Sequence, residues 1–127
     1  MSQIRVNDIT DSTGSWSSTP EQIQQGRAKA WVTFNGLGTV AIQNSFNVNS
    51  VGDIATGRFS ITFATAMPNT DYVYASGVED GGGYNDLRGW NHEASSTKTT
   101  TVFDVYQVHT NLSPDDPERA HIVLFGD

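Results

Sequence analysis

Three histidines, two pairs of adjacent carboxylates and one aromatic-rich loop are the residues with chemical potential in this chain. His92, His109 and His121 lie far apart, with no H-x-H or HExxH spacing. His109 and His121 fall near strands that a hairpin could pair, but the spacing builds no metal centre, and ordinary hydrogen-bonded histidines are expected. Glu79-Asp80 and Asp115-Asp116 are the candidate pairs for glycoside hydrolysis, which needs two carboxyl groups at a set separation across a substrate. Neighbours in a loop do not supply that separation. Asp115 and Asp116 stand between Pro114 and Pro117, which is good turn chemistry. No D-x-D-x-D-G calcium loop and no G-x-S-x-G elbow is present, and there is no cysteine to act as a thiolate or zinc ligand. Gly81, Gly82 and Gly83 follow acidic residues and lack the lysine of a phosphate cradle. A non-enzyme without cofactor or metal is the expectation.

The segment GGGYNDLRGWNHE gathers Tyr84, Asn85, Asp86, Arg88, Trp90, Asn91 and His92 behind a glycine hinge. Tyrosine, tryptophan and arginine carry binding hot spots, and asparagine supplies adaptable hydrogen bonds. Aromatic faces with amide and carboxylate edges also suit sugar rings. These seven residues are therefore the binding candidates. The competing expectation is that Trp90 and Leu87 tuck inward and anchor the loop.

The elements that must position this loop read as strands. Ala30, Val32 and Phe34 alternate with Trp31, Thr33 and Asn35, and Gly36 and Gly38 mark a turn. Val40 and Ile42 and, after a slip, Phe46, Val48 and Val51 continue the period of two. Phe59, Ile61 and Phe63 form the clearest half-buried strand. Pro68 breaks it, since proline cannot donate to a ladder. Tyr72 to Val78 resumes, Val102 to Val108 alternates again, and AHIVLFGD supplies a last apolar strand. Roughly six or seven strands with turns between them, and no long helix, predict an all-β fold, an antiparallel β-sandwich of jelly-roll-like kind.

Residues 1–27 differ. Ile4, Val6 and Ile9 suggest a short strand, and Pro20 opens one helical turn with Thr19 as its N-cap. The segment has little to bury and reads as an extended N-terminal arm; residues 28–127 read as the β-sandwich domain.

The 127 residues fit one domain, which buries roughly two-thirds of its unfolded surface. The absence of cysteine fits synthesis in a reducing cytoplasm. A net charge of -7 argues against nucleic acid and anionic membrane surfaces and favours solubility of repeated copies. No apolar run is long enough to insert in a membrane, and MSQIRVNDITD lacks the apolar stretch of a Sec signal.

Arg27 to Gly77 resembles the distal domain of tail-fibre-type, receptor-binding virion proteins of tailed bacteriophages, many from aquatic hosts. The resemblance rests on AWVTFNGLGTVAI (Ala30 to Ile42), on the stretch from Ser45 to Tyr72, and on Ile122 to Gly126. IRVNDITDSTG (Ile4 to Gly14) is similar to the lead segment of such proteins. The resemblance departs from the family between Glu79 and Ser96. It implies a viral structural protein, a tail fibre or host-receptor-binding head made in the host cytoplasm and carried in the virion. It implies a homotrimer and transfers no catalytic residue. The expected partners are sister copies, other virion proteins through residues 1–27, and a host surface glycan or protein. The shortness of the chain keeps a capsid decoration or head-fibre protein, clamping capsomers, as the alternative expectation, with a glycan depolymerase a remote third. Independently, six phenylalanines and three tryptophans are generous for so small a core, and a threefold assembly would cover spare edges and arm together.

Overall fold

A computed structural model describes residues 2–79, 88–91, 96–109 and 113–126. The chain runs β1 (Ile9–Thr10), β2 (Ser17–Ser18), α1 (Pro20–Gly26), β3 (Ala30–Asn35), β4 (Ala41–Phe46), β5 (Val48–Ala55), β6 (Arg58–Phe63), β7 (Val73–Glu79), β8 (Arg88–Asn91), β9 (Val102–His109) and β10 (Arg119–Phe125). Among the described residues the strands β3 to β10 form two four-stranded antiparallel sheets, ordered β4-β3-β10-β7 and β5-β6-β9-β8. Hairpins β3–β4, β5–β6 and β8–β9 stay within a sheet, and the chain crosses between sheets after β4, β6, β7 and β9. The result is the expected sandwich.

The period of two explains which faces meet. Ala30, Val32 and Phe34 of β3 and Ala120, Ile122 and Leu124 of β10 point inward from one sheet. Phe59, Ile61 and Phe63 of β6 and Phe103 and Val105 of β9 answer from the other. Edge-to-face aromatic contacts tie the layers: Phe34 to Phe59 with centroids 5.1 Å apart, and Phe63 to Tyr72 at 5.8 Å. Gln107 is fully buried on β9, and its amide has no hydrogen-bond partner among the described residues.

Two backbone positions let the strands turn. Gly57, at φ +71°, closes the β5–β6 hairpin so tightly that a Cβ there would lie 2.7 Å from the Gln107 carbonyl oxygen. Asp116 fixes the same turn, its Oδ1 accepting from the Gly57 amide at 2.6 Å. Asn47, at φ 54°, carries the chain from one sheet to the other.

The slip expected between Ile42 and Phe46 is a bulge where β4 loses register between Thr33 and Phe34 of β3. Its consequence differs from the sequence pattern. Val40, Val48 and Val51 pack on the core, whereas Ile42 and Phe46 lie on an edge strand and are 38% and 53% exposed.

The segment before β3 holds a β1–β2 hairpin and α1. Thr19 caps α1 as expected: its hydroxyl accepts from the Gln22 amide at 3.2 Å and Gln22 Oε1 accepts from the Thr19 amide at 2.9 Å. No residue of α1 is buried. No helix among the described residues is long and apolar enough to cross a membrane.

Candidate functional site

The outer face of the β4-β3-β10-β7 sheet is unlike a water-facing sheet surface. Outward residues alternate with core residues along each strand, so register decides which become neighbours. Trp31 on β3 pairs with Phe46 on one side and Val123 on the other, and Val123 pairs with Ala75. Phe125 pairs with Val73, which is 63% exposed. A solvated antiparallel face is normally polar. On the opposite sheet β6 presents Arg58, Ser60 and Thr62 outward, with the Arg58 guanidinium 5.5 Å above the Tyr106 ring.

Next to the apolar stripe runs a row of polar groups joined end to end. Thr33 Oγ1 lies 3.1 Å from His121 Nδ1, and His121 Nε2 lies 3.0 Å from Glu79 Oε1. Arg119 Nη1 donates to Glu79 Oε2 at 2.6 Å, and Arg119 Nε donates to Gln43 Oε1 at 2.9 Å. One assignment of protons satisfies the row with a neutral imidazole: the Thr33 hydroxyl donates to Nδ1 and Nε2–H donates to Glu79. The row spans four strands, because Gln43, Thr33, the pair Arg119 and His121, and Glu79 belong to β4, β3, β10 and β7.

A shallow groove of about 340 Å³ is lined by Trp31, Thr33, Ala75, Gly77, His121 and Val123. Of the polar row, Thr33 and His121 enter its lining, and Glu79 adjoins it through its bond to His121. Its floor on β7 is low because Ala75 and Gly77 carry almost no side chain. The hydrogen bond from Arg119 holds the Glu79 carboxyl below its ordinary range against the opposing effect of desolvation, with the His121 bond assisting. Glu79 is therefore an anion engaged on both oxygens, a poor proton donor at neutral pH.

The candidate residues from the sequence fall into three groups. Tyr84, Asn85, Asp86 and His92 lie outside the described residues, as do Asp80 and Leu87. Arg88 and Asn91 belong to β8, where their backbones pair with His109 and Tyr106. Trp90 is turned into the core at 9% exposure, its ring 6.4 Å from Phe34 and 6.2 Å from Phe59. Its Nε1–H donates to the Gly77 carbonyl at 3.4 Å. Of the two expectations for Trp90, its core position matches the inward, anchoring one, because the β8 register with β9 directs the ring between the sheets. Among the described residues no group of three metal-ligating side chains comes together.

Sequence reasoning missed Trp31, Thr33, Arg119 and the pairing of Glu79 with His121. Thr33 and His121 are 88 positions apart, and Glu79 and His121 are 42 apart. The one available signal was Trp31 itself, a large aromatic at an outward position of a strand whose inward positions were already filled.

No family model and no curated protein matches the chain. Among solved structures, it is similar to the crystal structure of phiAB6 tailspike in complex with three-repeated oligosaccharides of Acinetobacter baumannii surface polysaccharide. The TM-score is 0.54 at 12% identity, and the match covers 93% of this chain and 22% of the tailspike chain. At that identity the likeness is one of fold.

Proposed function

We propose that this chain is a structural protein of a bacteriophage virion, a tail-fibre or tail-associated head domain that binds the host surface. It works by assembly and recognition, not by catalysis. The observation that carries this reading is the likeness of nearly the whole chain, 93% of it, to part of a phage tailspike. The resemblance of Arg27 to Gly77 to tail-fibre domains points the same way. Of the four carboxylates that raised a hydrolase, Glu79 is bonded to Arg119 and His121 and Asp116 holds the Gly57 turn, while Asp80 lies outside the described residues.

Sister copies, three in the complete assembly, are the first partners in this reading. Ile42, Phe46 and Ile54 lie along the β4 and β5 edges of the two sheets, with Leu37 in the turn before β4, and all four are 38–53% exposed. Edge strands with apolar side chains invite pairing with another chain, and a closed assembly covers them. The segment before β3 adds Ile4, Val6, Ile9, Trp16 and Ile23, all at least 44% exposed. Residues 1–27 then serve as the arm that orders against neighbours and other virion proteins.

Sedimentation of the purified chain tests assembly. A trimer is expected, with Phe46→Glu combined with Ile54→Glu giving folded monomers. A wild-type chain that stays monomeric at high concentration removes the trimer. Antibody labelling of intact particles tests location: label on the tail is expected, and label spread over the capsid would replace this reading with a decoration protein.

A further inference from the structure

We propose that the groove on the outer face of the β4-β3-β10-β7 sheet is a saccharide-binding site, taking a neutral hexose or N-acetylhexosamine ring against Trp31 with its hydroxyls along Thr33 and His121 and extending toward Glu79 and Arg119 just beyond them. The assignment rests on the host-surface-binding part of the proposed function and gives it a place and a ligand class.

A sugar ring shows an apolar C–H face and a rim of hydroxyls. The groove offers one surface for each. Trp31 is half-buried and held between its cross-strand neighbours Phe46 and Val123, so its indole is a fixed wall. Ala75 and Gly77 leave the floor open beside it, and the volume of about 340 Å³ falls at the small end of ligand sites. Along the facing side the polar row is already assembled. Thr33, His121, Glu79, Arg119 and Gln43 hold one another through bonds of 2.6 to 3.1 Å. Little side-chain freedom therefore remains to be lost on binding.

The row still has capacity. Each Glu79 oxygen accepts one bond within it and has a second lone pair. The Arg119 guanidinium uses Nη1 and Nε within the row, which leaves further N–H groups for hydroxyl oxygens. Whichever partner donates in its bond to His121, Thr33 Oγ1 keeps a lone pair for a hydroxyl proton. Donors and acceptors thus alternate at the rim, matching hydroxyls, which do both.

Charge narrows the class. Glu79 is an anion at the rim, paired with a single arginine, and the chain carries a net charge of -7. A uronic acid would bring a second carboxylate to this edge, and like charges repel. A neutral ring brings none. The groove is lined by β3, β10 and β7 and by no residue of β4 or β5, the edges assigned above to sister copies, although Phe46 on β4 neighbours its Trp31 wall.

Saturation-transfer NMR on the full chain tests the assignment, with glucose, galactose, N-acetylglucosamine, N-acetylgalactosamine and glucuronate offered separately at millimolar concentration. Transfer to at least one neutral sugar is expected, together with weak or no transfer to glucuronate. Trp31→Ala is expected to weaken binding roughly tenfold or more, as loss of a central aromatic contact does. Gly77→Leu fills the floor and is expected to abolish binding. A Cβ at Gly77 meets only His121 Cδ2, at 4.0 Å, so the position has room for a side chain on the outer face, and this variant is expected to fold even where Trp31→Ala does not. Near-ultraviolet circular dichroism checks both. No transfer to any neutral sugar overturns the proposal, as does preference for glucuronate, or binding that survives Gly77→Leu in a folded protein. A chain that assembles and labels the tail yet takes no sugar would overturn this groove alone and leave the proposed function standing.

Discussion

Asn47 and Thr65 exchange two hydrogen bonds: Asn47 Oδ1 accepts from the Thr65 amide at 2.7 Å, and Asn47 Nδ2 donates to the Thr65 carbonyl at 3.1 Å. The same Nδ2 donates to the Lys29 carbonyl at 3.0 Å. One side chain therefore ties the start of β3, the crossing from β4 to β5, and the end of β6. Asparagine also tolerates the left-handed backbone found here, φ 54°. Asn47→Ala should cost about 2–4 kcal/mol in urea denaturation, from lost bonds and backbone strain. Asn47→Gly, which relieves the strain alone, should cost less. Equal losses in the two variants would show that the backbone contributes nothing.

Trp90→Ala should destabilise the chain by about 3–5 kcal/mol, the usual range for a large aromatic removed from a core. Trp90→Phe keeps most of the packing against Phe34 and Phe59 and loses the bond to Gly77, so a smaller loss is expected. Thermal denaturation of the two variants separates packing from hydrogen bonding. A neutral Trp90→Ala would contradict the core placement.

Gln107 invites a gain. Its amide is buried, with neither atom hydrogen-bonded among the described residues. Gln107→Leu keeps the approximate volume and removes that desolvation penalty. A rise in stability of about 1–2 kcal/mol is expected from denaturant midpoints. A loss would reveal a partner for the amide.

Tyr72 should resist ionisation. Burial raises its phenol to about 12, with the Asp104 charge adding to the effect. The unfolded chain ionises this group near pH 10, the ordinary value, while the folded chain does not. Its proton is therefore bound more tightly in the native state, and stability falls as the pH rises from about 10 to about 12. Ultraviolet absorbance titration should show Tyr72 ionising late or only on unfolding, with Tyr74, also raised by burial, lagging the ordinary value as well.

Glu79 carries the opposite sign. Its folded value is depressed, by the Arg119 hydrogen bond first. The stability it contributes is present above the ordinary carboxylate range and is lost as the pH falls through the depressed value. The group is exposed, so the effect is modest and sensitive to salt. Carboxyl NMR titration should find Glu79 low in the native chain and higher in Arg119→Ala. Identical values would remove Arg119 as the cause.

The strands were legible because inward residues of β3, β6 and β9 alternate without interruption, and the Thr19 cap and Pro20 announced α1. The edge was harder to read. Phe46 looks like a core residue in sequence, and only its pairing with Trp31 on the last strand of the sheet shows that it faces out. The groove was invisible for a different reason. Its polar row is made by strand order, which sets β10 between β3 and β7, and no short stretch of sequence records that order. Trp90 shows the converse: its composition-rich surroundings suggested a surface, whereas pairing with β9 draws it inside.

Because β3 begins where β10 ends, with Ala30 opposite Leu124 and the Lys29 amide donating to the Leu124 carbonyl at 2.8 Å, the two connections leave the sandwich at one pole. The C-terminal ends of β3, β5, β7 and β9 lie at the other pole. A head tethered at the first pole and gripped at the second would be pulled along its strands. The ladder bonds run across that direction, so they would resist together in shear. Peeling them apart one by one would require tension on both connections at the same pole.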